Sequence, residues 1–371
     1  MVCSGVFTQC LCRWPLLTSP PSPHPPTQAA VSAHARLVGP DSVEAGVACQ
    51  QLGLNLLFMG RWPECIPQYE RARANIQAKR GPGADGGPHP ATARTVNNLS
   101  WVLKAMGRYG EALPLHELAV RLADASAEPD AAELRPMLRQ NMAAMMRDLG
   151  RYDEALKLYE QALAEIEVVK GGNHPFTAIV VTGLGTLKAL LRDRAGALAA
   201  YSRARAIREA AYGPKHTDVS RSLNNLGVLM GGDEGLSLCE NALRLRISVC
   251  PPDHPEAARI EHSIATIHHR AGKAAEALSW YERALATREA SPALGPHHPD
   301  TAETGVCLAR LLEETAAVSS GVGLAFKRTP AALLDQAQAA MLAHASLFGA
   351  DHPALQRGAL PPSSIDLFKL Q

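Results

Sequence analysis

In "EALKLYEQALAEIE", Glu154 to Glu167, apolar residues return at three-and-four spacing, the period of a helix that buries one face. The seven residues "GRYDEAL" (Gly150 to Leu156) that lead into it repeat "GRYGEAL" (Gly107 to Leu113) 43 positions earlier with a single change. A second helical signature runs ahead of each such phrase: "NNLS" from Asn97, "QNMA" from Gln140, "TGLG" from Thr182, "NNLG" from Asn224, "HSIA" from His262 and "VCLA" from Val306. Its fourth member is always small, as Ser100, Ala143, Gly185, Gly227, Ala265 and Ala309. Further small residues follow at Cys65, Ala112, Ala155, Ala197 and Ala277, and seven positions later at Ala72, Ala119, Ala162, Ala204, Ala242 and Ala284. Three places before that last position stands Tyr69, His116, Tyr159, Tyr201 or Tyr281. Small residues at fixed places let two helix backbones approach, and a large neighbour fills the space beside them.

Each repeat therefore reads as helix A, a turn at "MGR", "LGR" or "AGK", and helix B. Gly107, Gly150 and Gly272 suit the left-handed residue that closes helix A, and Tyr109 or Tyr152 can anchor the start of helix B. The linkers "GPKH", "GPHHP" and "GADHP" stop helix B, and their proline suits the first turn of the next helix. His-Pro supplies the ruler, at His89, His174, His254, His298 and His352, with His216-Thr217 in register. His174 to His216 spans 42 residues, and the predicted architecture is an all-α right-handed superhelical solenoid of about six repeats of roughly that length. Residues 41–355 form the array, after a Pro-rich segment at 1–40 expected to be disordered and before an irregular tail at 356–371.

Two departures stand out. From His216 to His254 the spacing falls to 38, and "GVLMGGDEGLSL" lacks four residues at the hinge, which predicts a shorter hairpin that keeps its facing. "AAVSSGVGLAFKRT" (Ala316 to Thr329) adds about a dozen residues at the last hinge and predicts a rim loop at 316–329.

"NNLSWVLKAMGRYGEALPLHELAV" (Asn97 to Val120), with the 42-residue unit and its "GPxHP" linker, resembles the long tetratricopeptide repeats of kinesin light chains and nephrocystin-type proteins. The resemblance covers roughly residues 40 to 355 and implies a scaffold that binds a peptide or partner helix on the A helices, with no enzymatic activity. The alternative it implies is a cargo-adaptor or regulatory subunit of a motor or enzyme complex. Kinesin light chains carry a heptad coiled coil ahead of the repeats, and the first 40 residues here hold no heptads, which favours a stand-alone adaptor over a motor subunit.

Composition changes this picture little. With 37 basic against 36 acidic side chains in 371 residues, no global field attracts nucleic acid or an anionic membrane, so any electrostatic selectivity is local. Eight cysteines lack the spacing of a zinc site or a secreted disulfide framework and point to a reducing, cytoplasmic setting. No apolar run has the length to span a bilayer. The acid-free segment at 1–40 has only Arg13 and Arg36 as strong positive charges, so organelle targeting is the lesser reading there.

Candidate chemistry is sparse. No phosphate-binding glycine loop, nucleophile elbow or metalloprotease helix is present, so no catalytic residue and no cofactor is assigned. His262, His268, His269, His297 and His298 cluster in sequence, and His262 with His269 could share a helix face. No Cys or carboxylate completes a ligand set, so no metal site is assigned. The recurring linker His reads as a local cap. Met137, Met142, Met145 and Met146 read as core. The helix A offsets that line the concave face in related arrays give Arg94, Asn97, Trp101 and Lys104, then Gln140, Arg147 and Asp148, then Thr182 and Thr186. They continue with Arg221 and Asn224, then Arg259, His262, His269 and Arg270, while the last repeat turns acidic with Glu303, Glu313 and Glu314 against Arg310. Six of the charged positions before that last repeat are basic and one is acidic, which predicts a groove for an extended acidic segment, with Trp101 as an anchor and Asn97 and Asn224 bonding peptide backbone. The competing reading is that these cations pair with neighbouring helices.

Overall fold

The computed structural model describes residues 39, 41–58, 62–78, 90–105, 108–248, 254–291, 295–296, 299–318, 329–336 and 338–339. The Pro-rich start apart from residue 39, the hinge insertion from 319 to 328 and the tail at 356–371 lie outside the described residues. Every regular element among the described residues is helical, and the chain divides at Gly171 and Gly172 into two compact units.

The first unit holds α1 (Val43–Phe58), α2 (Trp62–Ala78), α3 (Pro90–Ala105), α4 (Tyr109–Ala125), α5 (Pro129–Asp148) and α6 (Tyr152–Lys170). The second holds α7 (Pro175–Leu190), α8 (Arg194–Tyr212), α9 (Thr217–Met230), α10 (Gly232–Ile247), α11 (Pro255–Arg270), α12 (Ala274–Ala290) and α13 (Pro299–Val318), with helical residues at 330–336. Within each unit an odd-numbered helix packs along the even one that follows, and that helix packs on the next odd one. Odd helices also meet each other, α3 with α5 and α9 with α11. This is the all-α hairpin repeat that the sequence predicts.

The small residues are where the backbones meet. Ala72, Ala119, Ala162, Ala204, Ala242 and Ala284 are fully buried, as are Cys65, Ala112, Ala155, Ala197 and Ala277. A methyl on Gly185 would lie 3.0 Å from the Tyr201 ring, so the tyrosine fills the volume a side chain would need. Thr186 and Tyr201 hydroxyls bond at 3.1 Å, and Thr266 and Tyr281 repeat the pair at 3.2 Å with the same 15-residue separation.

Hinges and linkers follow local rules. Gly150 and Gly272 take φ of 78° and 70°. In the hinge between α7 and α8 the equivalent residue is Arg192, at φ 65°, a conformation that L-residues other than Gly enter at a cost. The phrase "GRYxEAL" is a surface clasp as well: Arg108 and Arg151 each make two bonds to Glu111 and Glu154 three residues on. His174, His216 and His254 are N-caps, each accepting through Nδ1 from the backbone N–H two residues later at 3.1 Å. The linker histidine is the cap that its periodic recurrence predicts.

The four-residue deletion leaves α9 and α10 joined through Gly231 alone. Closer approach requires smaller side chains, and this hairpin has Gly227, Gly235 and Cys239 where the preceding one has Gly185, Ala197 and Tyr201. Arg194 Nη2 donates to Met230 O at 3.1 Å and Arg270 Nη1 to Val228 O at 3.5 Å, so neighbouring hairpins cap the carbonyl end of α9.

Candidate functional site

The odd helices carry the residues that the sequence offsets select, and each unit brings its own set together. In the first unit Asn141 Nδ2 donates to Asn97 Oδ1 at 3.2 Å, linking α5 to α3. Asn97 is fully buried and its own Nδ2 has no hydrogen-bond partner, nor has Arg94 Nε. Burial lowers the Arg94 pKa against the opposing pull of Asp130 and Glu133. Gln140 is buried on the same layer. Lys104 Nζ and Arg147 Nη2 both lie 2.8 Å from Asp148 carboxylate oxygens, so two of the expected groove cations share one internal acid. Trp101 is 7% exposed and stands 15 residues before His116, the separation of the Thr–Tyr pairs. It sits in the packing layer instead of projecting as a free anchor. His116 is fully buried with neither ring nitrogen hydrogen-bonded, and burial, reinforced by Lys104, pushes its pKa down to about 3.

In the second unit two of the expected cations, Arg221 and Arg259, meet at Glu256, an acid that the sequence reading passed over. Glu256 Oε2 lies 3.9 Å from Arg221 Nη2, 3.5 Å from Arg246 Nη2 and 3.3 Å from Arg259 Nη2. Asn224 is buried with Oδ1 unbonded. His262 Nδ1 meets the Thr304 hydroxyl at 3.3 Å, and its ring is edge-on to Tyr281 at 5.4 Å, where burial holds it neutral. His269 is also edge-on to Tyr281, at 6.1 Å, with Nε2 2.8 Å from Glu314 Oε2. The two histidines thus share the Tyr281 ring but have different polar partners, and among the described residues no group of three or more His, Cys, Asp or Glu could hold a metal ion. Arg270, expected in the groove, is exposed at the α9 hinge. Thr182 and Thr186 are buried, each bonding a carbonyl of its own helix four residues back.

The sequence reading missed Arg208, Arg246 and Arg288, each four residues after the small positions Ala204, Ala242 and Ala284. All three are buried. Arg208 donates to Ala178 O of α7 at 3.3 Å and to Ser222 Oγ of α9 at 2.6 Å. Arg246 donates to Thr217 O of α9 at 3.2 Å and reaches Glu256 of α11. Arg288 donates to Asp300 O and Thr304 Oγ1 of α13. At the same register the first unit has Ile76, Ala123 and Ile166, all buried. The recurrence at 38 and 42 residues was the available signal.

A tetratricopeptide-repeat family model matches residues 44–125, 134–210 and 230–290, together more than half of the chain. The chain belongs to the tetratricopeptide-repeat family. Solved structures repeat its fold at low identity. The Rap conjugation gene regulator of plasmid pLS20, in complex with the Phr peptide, is 13% identical with a TM-score of 0.60 over 92% of this chain and 82% of that one. Aspartyl phosphate phosphatase F from Bacillus subtilis is 12% identical, with a TM-score of 0.55 over 85% and 72%. BtubC (BKLC) from P. vanneervenii is 20% identical, with a TM-score of 0.48 over 62% and 90%. No curated protein matches the sequence. No helix among the described residues of this tetratricopeptide array is long and apolar enough to cross a membrane.

Proposed function

We propose that the chain is a non-enzymatic protein–protein interaction scaffold whose odd helices bind an extended acidic peptide segment. The observation that carries this reading is that several expected groove residues on those helices have buried polar atoms without hydrogen-bond partners, among them Arg94 Nε and Asn97 Nδ2 in the first unit, and Arg221 Nε and Nη2, Asn224 Oδ1 and Arg259 Nε in the second. Buried polar groups are almost always bonded, so within each unit these exceptions leave capacity for an occupant. Most of these atoms are donors on cations, which suits carboxylates, while the Asn amides suit peptide backbone. Membership of the tetratricopeptide family supports the reading, and so does the peptide complex of the Rap regulator. Lys104, Arg147, His269 and Arg270, whose observed partners are internal, have the lesser part in it.

The test is capture with the full chain as bait, followed by anisotropy with the partner's acidic segment. Binding weakens at least about tenfold in Arg94→Glu/Arg259→Glu and falls with added salt. Equal binding by wild type and the double reversal sinks the reading.

A further inference from the structure

We infer that the arginine cluster where α9, α10 and α11 meet binds a phosphate-monoester dianion, the group carried by a phosphorylated serine or threonine of a partner segment.

Three guanidinium Nη2 atoms, from Arg221, Arg246 and Arg259, lie within 3.9 Å of a single carboxylate oxygen of Glu256. Arg208 stands close enough for Arg221 to help depress it, after burial as the main cause, to about 10, and Asp218 acts on Arg208 in the opposite sense. Four cations and two acids leave an excess of two positive charges. Arg221 and Arg246 are each 4% exposed, so water does little to screen that excess. A peptide carboxylate supplies one negative charge, whereas a phosphate monoester supplies close to two at neutral pH together with several acceptor oxygens.

The hydrogen-bonding count agrees. Arg221 Nε and Nη2, Arg246 Nε and Arg259 Nε are buried without a hydrogen-bond partner, and Glu256 cannot satisfy three guanidinium forks. Arg259, whose side chain is 13% exposed against 5% for the other two, marks the edge from which an anion reaches the cluster. The first unit lacks the arrangement, because Asp148 is matched there by Lys104 and Arg147 and the register of Arg246 is held by Ala123 and Ile166. The site deepens the scaffold reading and rests on it only for the peptide that would carry the phosphate.

Two probes on the full chain test it. Inorganic phosphate at pH 8 raises the melting temperature above that in sodium chloride of equal ionic strength, and Arg221→Gln and Arg259→Gln remove the difference. Should circular dichroism show Arg221→Gln unfolded, Arg259→Gln at the edge decides alone. In the second arm, a captured segment phosphorylated at serine binds at least about tenfold tighter than the same segment with aspartate there. No phosphate-specific rise in wild type, or a rise that persists in Arg259→Gln, overturns the site. Equal affinity for the aspartate and phosphoserine peptides overturns it too while leaving the acidic-peptide scaffold standing. A phosphate response without acidic-peptide binding refutes that scaffold reading instead.

Discussion

Gly235 and Gly227 touch backbone to backbone: a methyl built on Gly235 collides with Gly227 O, and one built on Gly227 lies 2.5 Å from Cys239 Sγ and 2.6 Å from Gly235 O. The close approach follows from the deleted hinge. Gly227→Ala is expected to cost about 1–3 kcal/mol as overpacking. Gly185→Ala, where the obstacle is the Tyr201 ring at 3.0 Å, should cost less. Paired urea melts check the order, and equal midpoints for the two variants would contradict the approach described.

Arg192 occupies a hinge position that glycine holds at 150 and 272, with φ 65°. Arg192→Gly is expected to stabilise the chain by about 0.5–1 kcal/mol, since relief of the left-handed strain outweighs the added freedom of the unfolded chain. A lowered denaturation midpoint would refute it.

Glu256→Gln removes the acid on which three guanidinium groups converge. Breaking a buried charge set from one side costs about 3–5 kcal/mol, and that loss is expected here. Arg151→Gln is the contrast. Its pair with Glu154 is on the surface, and the change should leave the melting temperature within about one degree.

Acid should weaken the first unit through His116. Unfolded, the ring takes a proton as the pH falls through 6.5; folded, burial and then Lys104 delay this until about 3. Between those values the unfolded state holds the extra proton, so stability declines with acid by about 1.4 kcal/mol per pH unit from this one group. Above 6.5 the contribution is constant. Unfolding free energies at pH 7, 6, 5 and 4 should show a shallower slope in His116→Phe; His262, depressed by burial, adds to the remaining slope, while Glu165, Glu261 and Glu303, raised by burial, oppose it. An unchanged slope would remove His116 from the account.

Cys65, Cys239 and Cys307 are buried, and burial pushes each thiol up to about 12. Thiolate being the reactive form, disulfide reagents should modify them only on unfolding. Labelling of Cys65, Cys239 or Cys307 in native protein within minutes, located by peptide mapping, would contradict this packing.

The hairpins were legible because their signals are local: a glycine at a hinge, a histidine before proline, an alanine under a tyrosine. Helix A offsets identified the layer that holds Asn97, Asn224 and Arg259. They could not say which side chains are already engaged, since Lys104 with Asp148 and His269 with Glu314 depend on residues 44 and 45 positions away. Arg208, Arg246 and Arg288 escaped for a different reason: an arginine on a helix reads as solvated unless its fourth place after a small residue is noticed. The Cys239 substitution was equally visible in register, but its meaning needed the backbone contact beside it.

Those three arginines bear on how the array could have lengthened. Arg208 and Arg246 each bond the helix before their own and reach the helix after, so a second-unit hairpin duplicated in tandem carries its fastener with it and meets a copy of the surface it fits. A first-unit hairpin transplanted there brings isoleucine or alanine to the same place and leaves the following helix unlatched. Exchanging hairpins within the second unit is therefore expected to keep this fastening, and exchanging them across the division at Gly171 to lose it.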